Sequence, residues 1–252
     1  MTLRSALYRS YWKARALIVP ALRYSQYTYE DILKLYVRFD TRWIDIGCGR
    51  SILPSWRTEE EGQLVKKCKV IVGIDYHLDS LKDHSTITRK VRGDIARLPF
   101  VTNSFDLATA NMVVEHLYEP REQFCEINRI LRPEGVLLFH TPNALDYGTI
   151  MAKLTPGWLK RKLIFLLEGR REEDVFKTYY RANTERRISE LARSSGFEVV
   201  RIEAVATDAV FAMIPPLFLV ELIWIRLLMT KPLRSLRGNI IAVLRKSSSA
   251  KS

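Results

Sequence analysis

A carboxylate placed two residues ahead of a glycine-rich turn is the first feature of this chain with chemical content. Trp43-Ile44-Asp45-Ile46 reads as the end of a short strand that runs into Gly47-Cys48-Gly49-Arg50-Ser51. Glycines after a first strand let a ligand approach the backbone closely. A dinucleotide site wants a third glycine where Ile52 stands, and no Gly-Lys-Ser/Thr follows to form a phosphate loop. Asp45 suits a ligand that presents positive charge or amines rather than phosphates. Two further acids, Asp75 and Asp94, close or follow later strand candidates. Of the four histidines, His116 follows the fourth strand candidate and His140 lies near the end of the fifth, whereas His77 and His84 lie beyond the second.

The elements that must hold these residues alternate along the chain. β-rich runs at 42–46, 69–74, 87–91, 105–110 and 136–141 are separated by helical patterns, the signature of a parallel sheet with crossover helices. Residues 119–131 form an amphipathic helix with Phe124, Ile127, Ile130 and Leu131 inward and Pro133 as its stop. Asn183 is the expected N-cap and Gly196 the C-cap of a helix over 184–195, with strands at 197–205 and 239–245 after it. Residues 143–182 and 206–238 break the alternation. With strand six parallel and strand seven antiparallel, both insertions leave the sheet at the carboxyl ends of its parallel strands, where open α/β sheets bind ligands. Both are then expected to wall or lid one site.

Taken together the segments resemble class I S-adenosylmethionine-dependent methyltransferases, in the small-molecule branch similar to ubiquinone and menaquinone methyltransferases (methyltransferase type 11-like). The resemblance covers residues 28–145, with support from 178–205. It rests on five matches in order: Asp45–Gly49 with Ser51 in place of a third glycine, Val70–Asp75, Gly93-Asp94-Ile95 with Leu98-Pro99-Phe100, Ser104–Leu117, and Ile130–Leu138. It implies an α/β, Rossmann-like, seven-stranded mostly parallel sheet with helices on both faces, strand seven antiparallel, and the insertions after strands five and six. The domain reading is a basic, aromatic helical extension over 1–40 and a methyltransferase domain over 41–252. The cofactor implied is S-adenosyl-L-methionine. Asp45, Gly47, Cys48 and Gly49 would cradle it, Asp75 would meet its ribose, and Tyr76 is a further cofactor-binding candidate. Asp94 and the Ile95 amide would meet its adenine, with Asn111 at the end of strand four. The surplus spacing between Asp45 and Asp75 is assigned to the polar stretch 57–63, and Glu59-Glu60-Glu61 to a solvated face. Cys48 is expected to be a small buried residue.

A sulfonium already activates its methyl group, so aligning the acceptor supplies much of the acceleration. A hydroxyl acceptor also gains from a general base, for which His116 and His140 are the candidates. Tyr147, Tyr179, Tyr180 and Arg181 fall where they can orient an acceptor. The chain has three cysteines, Cys48, Cys68 and Cys125, without paired spacing, so neither a disulfide framework nor a metal site is indicated.

The formal charge of +12 lies almost wholly at the ends. Residues 1–40 hold seven Lys/Arg against three acids and residues 226–252 seven against none, leaving 26 basic and 25 acidic residues between them. A near-neutral body, with Asn111-Met112-Val113-Val114 and no proline pair or aromatic after strand four, disfavours nucleic acid as substrate. Basic residues beside Tyr8, Tyr11 and Trp12 suit an anionic membrane surface at least as well as RNA. No signal peptide is evident, and the longest charge-free run, 209–220, has twelve residues where a spanning helix needs about twenty. The apolar stretch 209–229 has three coverings open to it: an extra core layer, a homodimer interface, or lipid. The expected enzyme is cytoplasmic, peripheral on the inner face of the membrane, and methylates a hydroxyl of a lipid, prenylated compound or lipid-linked sugar. The alternatives are a non-catalytic cofactor-binding protein and an RNA- or membrane-associated accessory protein of the same fold.

Overall fold

The central strand-forming runs are apolar on both faces, which suits strands covered by helices on both sides. A computed structural model describes residues 3–155 and 177–248. Of the first insertion, 156–176 lies outside the described residues. Seven strands form one sheet in the order β3-β2-β1-β4-β5-β7-β6. They are β1 (Arg42–Ile46), β2 (Val70–Asp75), β3 (Lys90–Arg92), β4 (Phe105–Asn111), β5 (Leu131–Pro142), β6 (Phe197–Val205) and β7 (Asn239–Lys246). β1 pairs in parallel with β2 and β4, β2 with β3, and β4 with β5. Strand seven runs antiparallel, as expected. The Asn143 N–H at the end of β5 donates to Gly238 O before β7 (2.8 Å), and the Ser247 N–H after β7 donates to Gly196 O before β6 (3.1 Å).

The helices, numbered as described, are α1 (Leu3–Ile18), α2 (Ser25–Tyr36), α3 (Thr58–Lys67), α4 (Leu78–Asp83), α5 (Pro120–Ile130), α6 (Tyr147–Leu154), α7 (Glu185–Ser194) and α8 (Leu217–Leu228). The chain divides into two compact units. The larger, Gln26–Thr141, Thr178–Glu203 and Ile240–Ser252, contains nearly all of the sheet. In its core α5 turns Phe124, Ile127 and Ile130 inward, and the Phe124 ring meets Phe139 and Phe197 edge-on at 5.9 and 6.4 Å.

Several local expectations shift, each for a visible reason. The helix cap before α7 is Thr184, whose side chain accepts the Arg187 N–H (3.2 Å), while Asn183 is buried and donates to Thr141 Oγ1 (2.7 Å). Gly196 follows the helix at φ +77°, as a left-handed stop requires. β3 begins at Lys90 because the N–H groups of Thr86 and Ile87 turn to His84 Nδ1 (3.4 and 3.3 Å) instead of to a strand. β5 begins earlier than expected, at Leu131. Its pairing with β4 skips from Leu131 to Val136, leaving Pro133 and Glu134 (φ +65°) in an irregularity. The stretch 57–63 closes a short 3₁₀ turn (Ser55–Arg57) and opens α3. The acidic run there is not wholly solvated. Glu61 is buried, and its carboxylate accepts the Leu53 N–H (2.8 Å) and the Thr86 hydroxyl.

The smaller unit comprises Met1–Ser25, Pro142–Lys177 and Ala204–Asn239. Its core joins Tyr11, Val19 and Leu22 to Phe218, Leu222 and Ile225, with Tyr11 edge-on to Phe218 at 5.8 Å. Arg15 of α1 is held there by an ion pair with Asp208 and a hydrogen bond to Leu22 O (2.9 Å). Segment 209–229 is therefore partly core, through Phe218, Leu222, Ile225 and Leu228, and partly exposed.

Phe124→Ala removes the ring that joins α5 to two strands. We expect it to lower unfolding free energy by about 3–5 kcal/mol in urea titrations, with an unchanged m-value.

Candidate active site

The sheet order reverses between β1 and β4, and at that point an open α/β sheet leaves a crevice beyond its carboxyl ends. Asp45 stands there, 2% exposed and in register with Thr109 of β4. The Thr109 hydroxyl donates to Asp45 Oδ1 and accepts the Trp43 indole N–H (2.6 Å). Burial pushes the Asp45 carboxyl up to about 8; the Thr109 hydrogen bond opposes this, and the charges of Glu61 and Asp75 add to it. A neighbouring cation would favour the ionised form.

The turn after β1 is built to stay close to its surroundings. Gly47 (φ +63°) donates to Ile74 O (2.7 Å), and a Cβ there would meet Val113 Cγ2 at 2.5 Å. Gly49 (φ +53°) has nothing within 4 Å of the place a Cβ would occupy, so its outer face is open. Its N–H donates to Asp75 Oδ2 (2.9 Å), and the His77 N–H donates to Asp75 Oδ1 (2.8 Å). Each Asp75 oxygen retains a lone pair beyond those bonds. Cys48 is buried with its sulfur against Gly73, and burial pushes its thiol pKa up, so only its backbone belongs to the turn's surface. Tyr76 is exposed beside the Arg92 guanidinium, 5.7 Å from its ring. Asp94 is exposed, its Oδ1 accepting the Ala96 N–H (2.9 Å), and Ile95 is half-buried against the core.

The Asn111 amide is engaged within the protein. It donates to Gln26 Oε1 (3.0 Å) and Ile52 O (3.1 Å), and its oxygen lies 3.3 Å from Gln26 Nε2 and 3.0 Å from His140 Nδ1. His140 is fully buried, with its ring stacked on Tyr29 (centroids 5.8 Å apart), and Nε2 finds no hydrogen-bond partner among the described residues. Burial lowers its pKa to about 3, so the ring is neutral and a poor proton acceptor. His116 differs. It ends the 3₁₀ turn Val114–His116 after β4, is half-buried, and holds Nε2 4.0 Å from Glu115 Oε1. Glu115 is buried, which raises its pKa, and it accepts the Thr141 hydroxyl (2.8 Å), itself bonded by Asn183. Tyr179 and Tyr180 tie their N–H groups to Glu115 O (2.8 and 3.1 Å), and Arg181 lies over the Tyr118 ring at 4.6 Å. Tyr147 belongs to the smaller unit, where its hydroxyl donates to Glu221.

The methyltransferase-domain family model matches residues 44–139, which include Asp45, the glycine turn, Asp75, Asp94, Asn111 and His116. The chain carries a class I S-adenosylmethionine-dependent methyltransferase domain. Malonyl-[acyl-carrier protein] O-methyltransferase of Legionella pneumophila is 33% identical to it over 106 residues, 40% of this chain and 36% of that protein. A Mycolicibacterium smegmatis protein described as "Probable S-adenosylmethionine-dependent methyltransferase" is 27% identical over 135 residues, 52% of this chain and 51% of that protein. The chain thus spans about a third to a half of the length of these curated relatives. Among solved structures, an S-adenosylmethionine-dependent methyltransferase from Mesorhizobium loti shares the fold at TM-score 0.54 and 18% identity, over 86% of this chain and 96% of that one.

The methyltransferase domain's residues fit the cofactor it implies: an open glycine turn, a carboxylate beside it with spare lone pairs, and a second exposed acid in Asp94. Sequence reasoning missed Gln26 and Tyr29 of α2, which lie in the stretch assigned to an N-terminal extension. The apolar spacing Tyr29, Ile32, Leu33, Val37 was the available signal.

Asp45 gives a pH test. The folded protein holds a proton that the unfolded chain releases near pH ~4, so this group's contribution is complete below ~4 and lost as pH rises through about 8. In thermal melts between about pH 5 and 9, Asp45→Asn should show a shallower fall of Tm with pH than the parent.

Proposed function

We propose that the protein moves a methyl group from S-adenosylmethionine to a hydroxyl of a small-molecule acceptor that is a lipid, a prenylated compound or a lipid-linked sugar. The enzyme would work on the cytoplasmic side, at the inner face of the membrane. The observation that carries the reading is Asp75, whose two oxygens accept N–H groups from Gly49 and His77 beside the open glycine turn. An oxygen acceptor is supported by the Legionella relative, an O-methyltransferase by name. A lipidic acceptor is supported by the exposed apolar side chains of the smaller unit.

In this reading Asp75 receives the ribose hydroxyls, the Gly47–Gly49 backbone admits the methionine part, and Asp94 with the Ile95 amide receives the adenine. Asp45 lies buried behind the turn, where a bound cation would favour its ionised form. Once bound, the cofactor supplies a methyl group already activated by its sulfonium. His116 would accept the acceptor's hydroxyl proton as its oxygen takes the methyl group, the S–CH3 bond breaking to leave S-adenosylhomocysteine. Glu115, Thr141 and Asn183 hold the turn that presents His116. Buried His140 keeps β5 and Asn111 in register and takes no proton.

Calorimetry tests the cofactor part. The purified chain should bind S-adenosylmethionine and S-adenosylhomocysteine, and Asp75→Ala should abolish the binding while leaving the melting curve cooperative. A folded parent that binds neither would sink the reading. Transfer of labelled methyl groups into a polar lipid extract tests the acceptor. His116→Gln should cut that transfer by roughly a hundredfold or more, yet leave S-adenosylhomocysteine affinity within about twofold.

A further inference from the structure

The smaller unit has a charge pattern that its own packing explains only in part. Its three described acids are turned to internal work: Asp146 caps α6, Asp208 is paired with Arg15, and Glu221 accepts Tyr147 and the N–H groups of Val210 and Phe211. Among its described residues every exposed charge is basic, including Arg4, Lys13, Arg226, Lys231 and Arg234. α8, meanwhile, carries apolar side chains on its exposed face as well as on its buried one, with Glu221 turned inward and Arg226 its one exposed charge. Phe218, Leu222 and Ile225 join the core with α1, while Val220, Ile223 and Leu227 form an outward row at i, i+3 and i+7. Val220 is 65% exposed and Ile223 54%. An apolar row left on the outer face of a helix marks a surface for lipid or another apolar partner. At 12 residues α8 is too short for a span, and no helix among the described residues is long and apolar enough to cross a membrane.

We propose that the smaller unit rests on an anionic lipid surface, with the outward row of α8 in the interface and its basic side chains on the headgroups. Arg226 stands between Ile223 and Leu227, and Lys231 and Arg234 follow the helix, so apolar and cationic groups sit together as interfacial binding requires. Trp12, 51% exposed beside Lys13, adds an amphipathic ring of the kind found at headgroup level. A second copy of the chain would set two basic surfaces against each other. RNA offers no apolar phase for valine, isoleucine and leucine. The inference goes beyond methyl transfer and stands whether or not the acceptor is a lipid.

Flotation of the full chain with vesicles tests it. Bound protein should be abundant with mixed phosphatidylglycerol and phosphatidylcholine at low salt, and should fall by about tenfold on pure phosphatidylcholine or at raised salt. Val220→Gln with Ile223→Gln, which leaves the charge unchanged, should weaken binding to the anionic vesicles by about tenfold. Lys13→Gln with Lys231→Gln should weaken it and flatten its salt dependence. Melting curves and S-adenosylhomocysteine titration on the same samples report the fold and the cofactor site separately. Three results would overturn the proposal: a folded parent that ignores anionic vesicles at low salt, a Val220/Ile223 variant that binds as well as the parent, or a solution dimer dissociated by that variant.

Discussion

A carboxyl group buried at the end of a central strand must be satisfied by protein alone, and much of the larger unit is arranged around that requirement. Asp45 is shut off from bulk solvent, and an unpaired buried charge would cost far more than the fold's margin of stability. The register of β1 against β4 places Thr109 directly across from it, and the threonine hydroxyl bonds both Asp45 and the Trp43 indole. One side chain thereby links the packing of β1 to the polarity of its end. The proton that Asp45 retains at neutral pH keeps the arrangement stable, and the adjoining turn stays open beside Gly49.

The polar groups around this point follow the same rule. Asn111 uses its amide on Gln26, Ile52 and His140, and so fixes the end of β4 to α2 and β5. Glu115 is held by Thr141, which Asn183 holds in turn. These bonds hold the carboxyl edge of the sheet from beneath, and the groups facing outward there include the glycine turn, Asp75, Tyr76, Asp94 and His116. Buried polar networks of this kind favour one arrangement because a half-satisfied alternative is expensive. The two histidines singled out by sequence part company here, one locked under Tyr29 and one on the rim.

The smaller unit solves a different problem. Its core is a modest helix pair, and its acids neutralise buried partners or cap backbone rather than face outward. Its basic excess is therefore concentrated on the surface, next to apolar side chains that find no place inside.

The chain itself determined the sheet and most of its carboxyl edge. Strands three and five aside, the boundaries of the strands in the larger unit fall close to the apolar runs, because parallel strands buried on both faces write their burial directly into composition. The shift of β3 follows from backbone groups captured by His84, a bond no periodicity announces. Asp45, Gly47, Gly49 and Asp75 were legible because a turn that admits a ligand needs residue types that little else explains. Which histidine is buried, what Glu61 does, and whether Asn111 faces outward were settled only by tertiary contacts among residues distant in sequence. So was the role of α2, whose Gln26 and Tyr29 meet β4 and β5 only once the sheet has formed. Side-chain type fixes what a group can do, but burial and partners decide which form it takes, and those arise only when the strands are side by side.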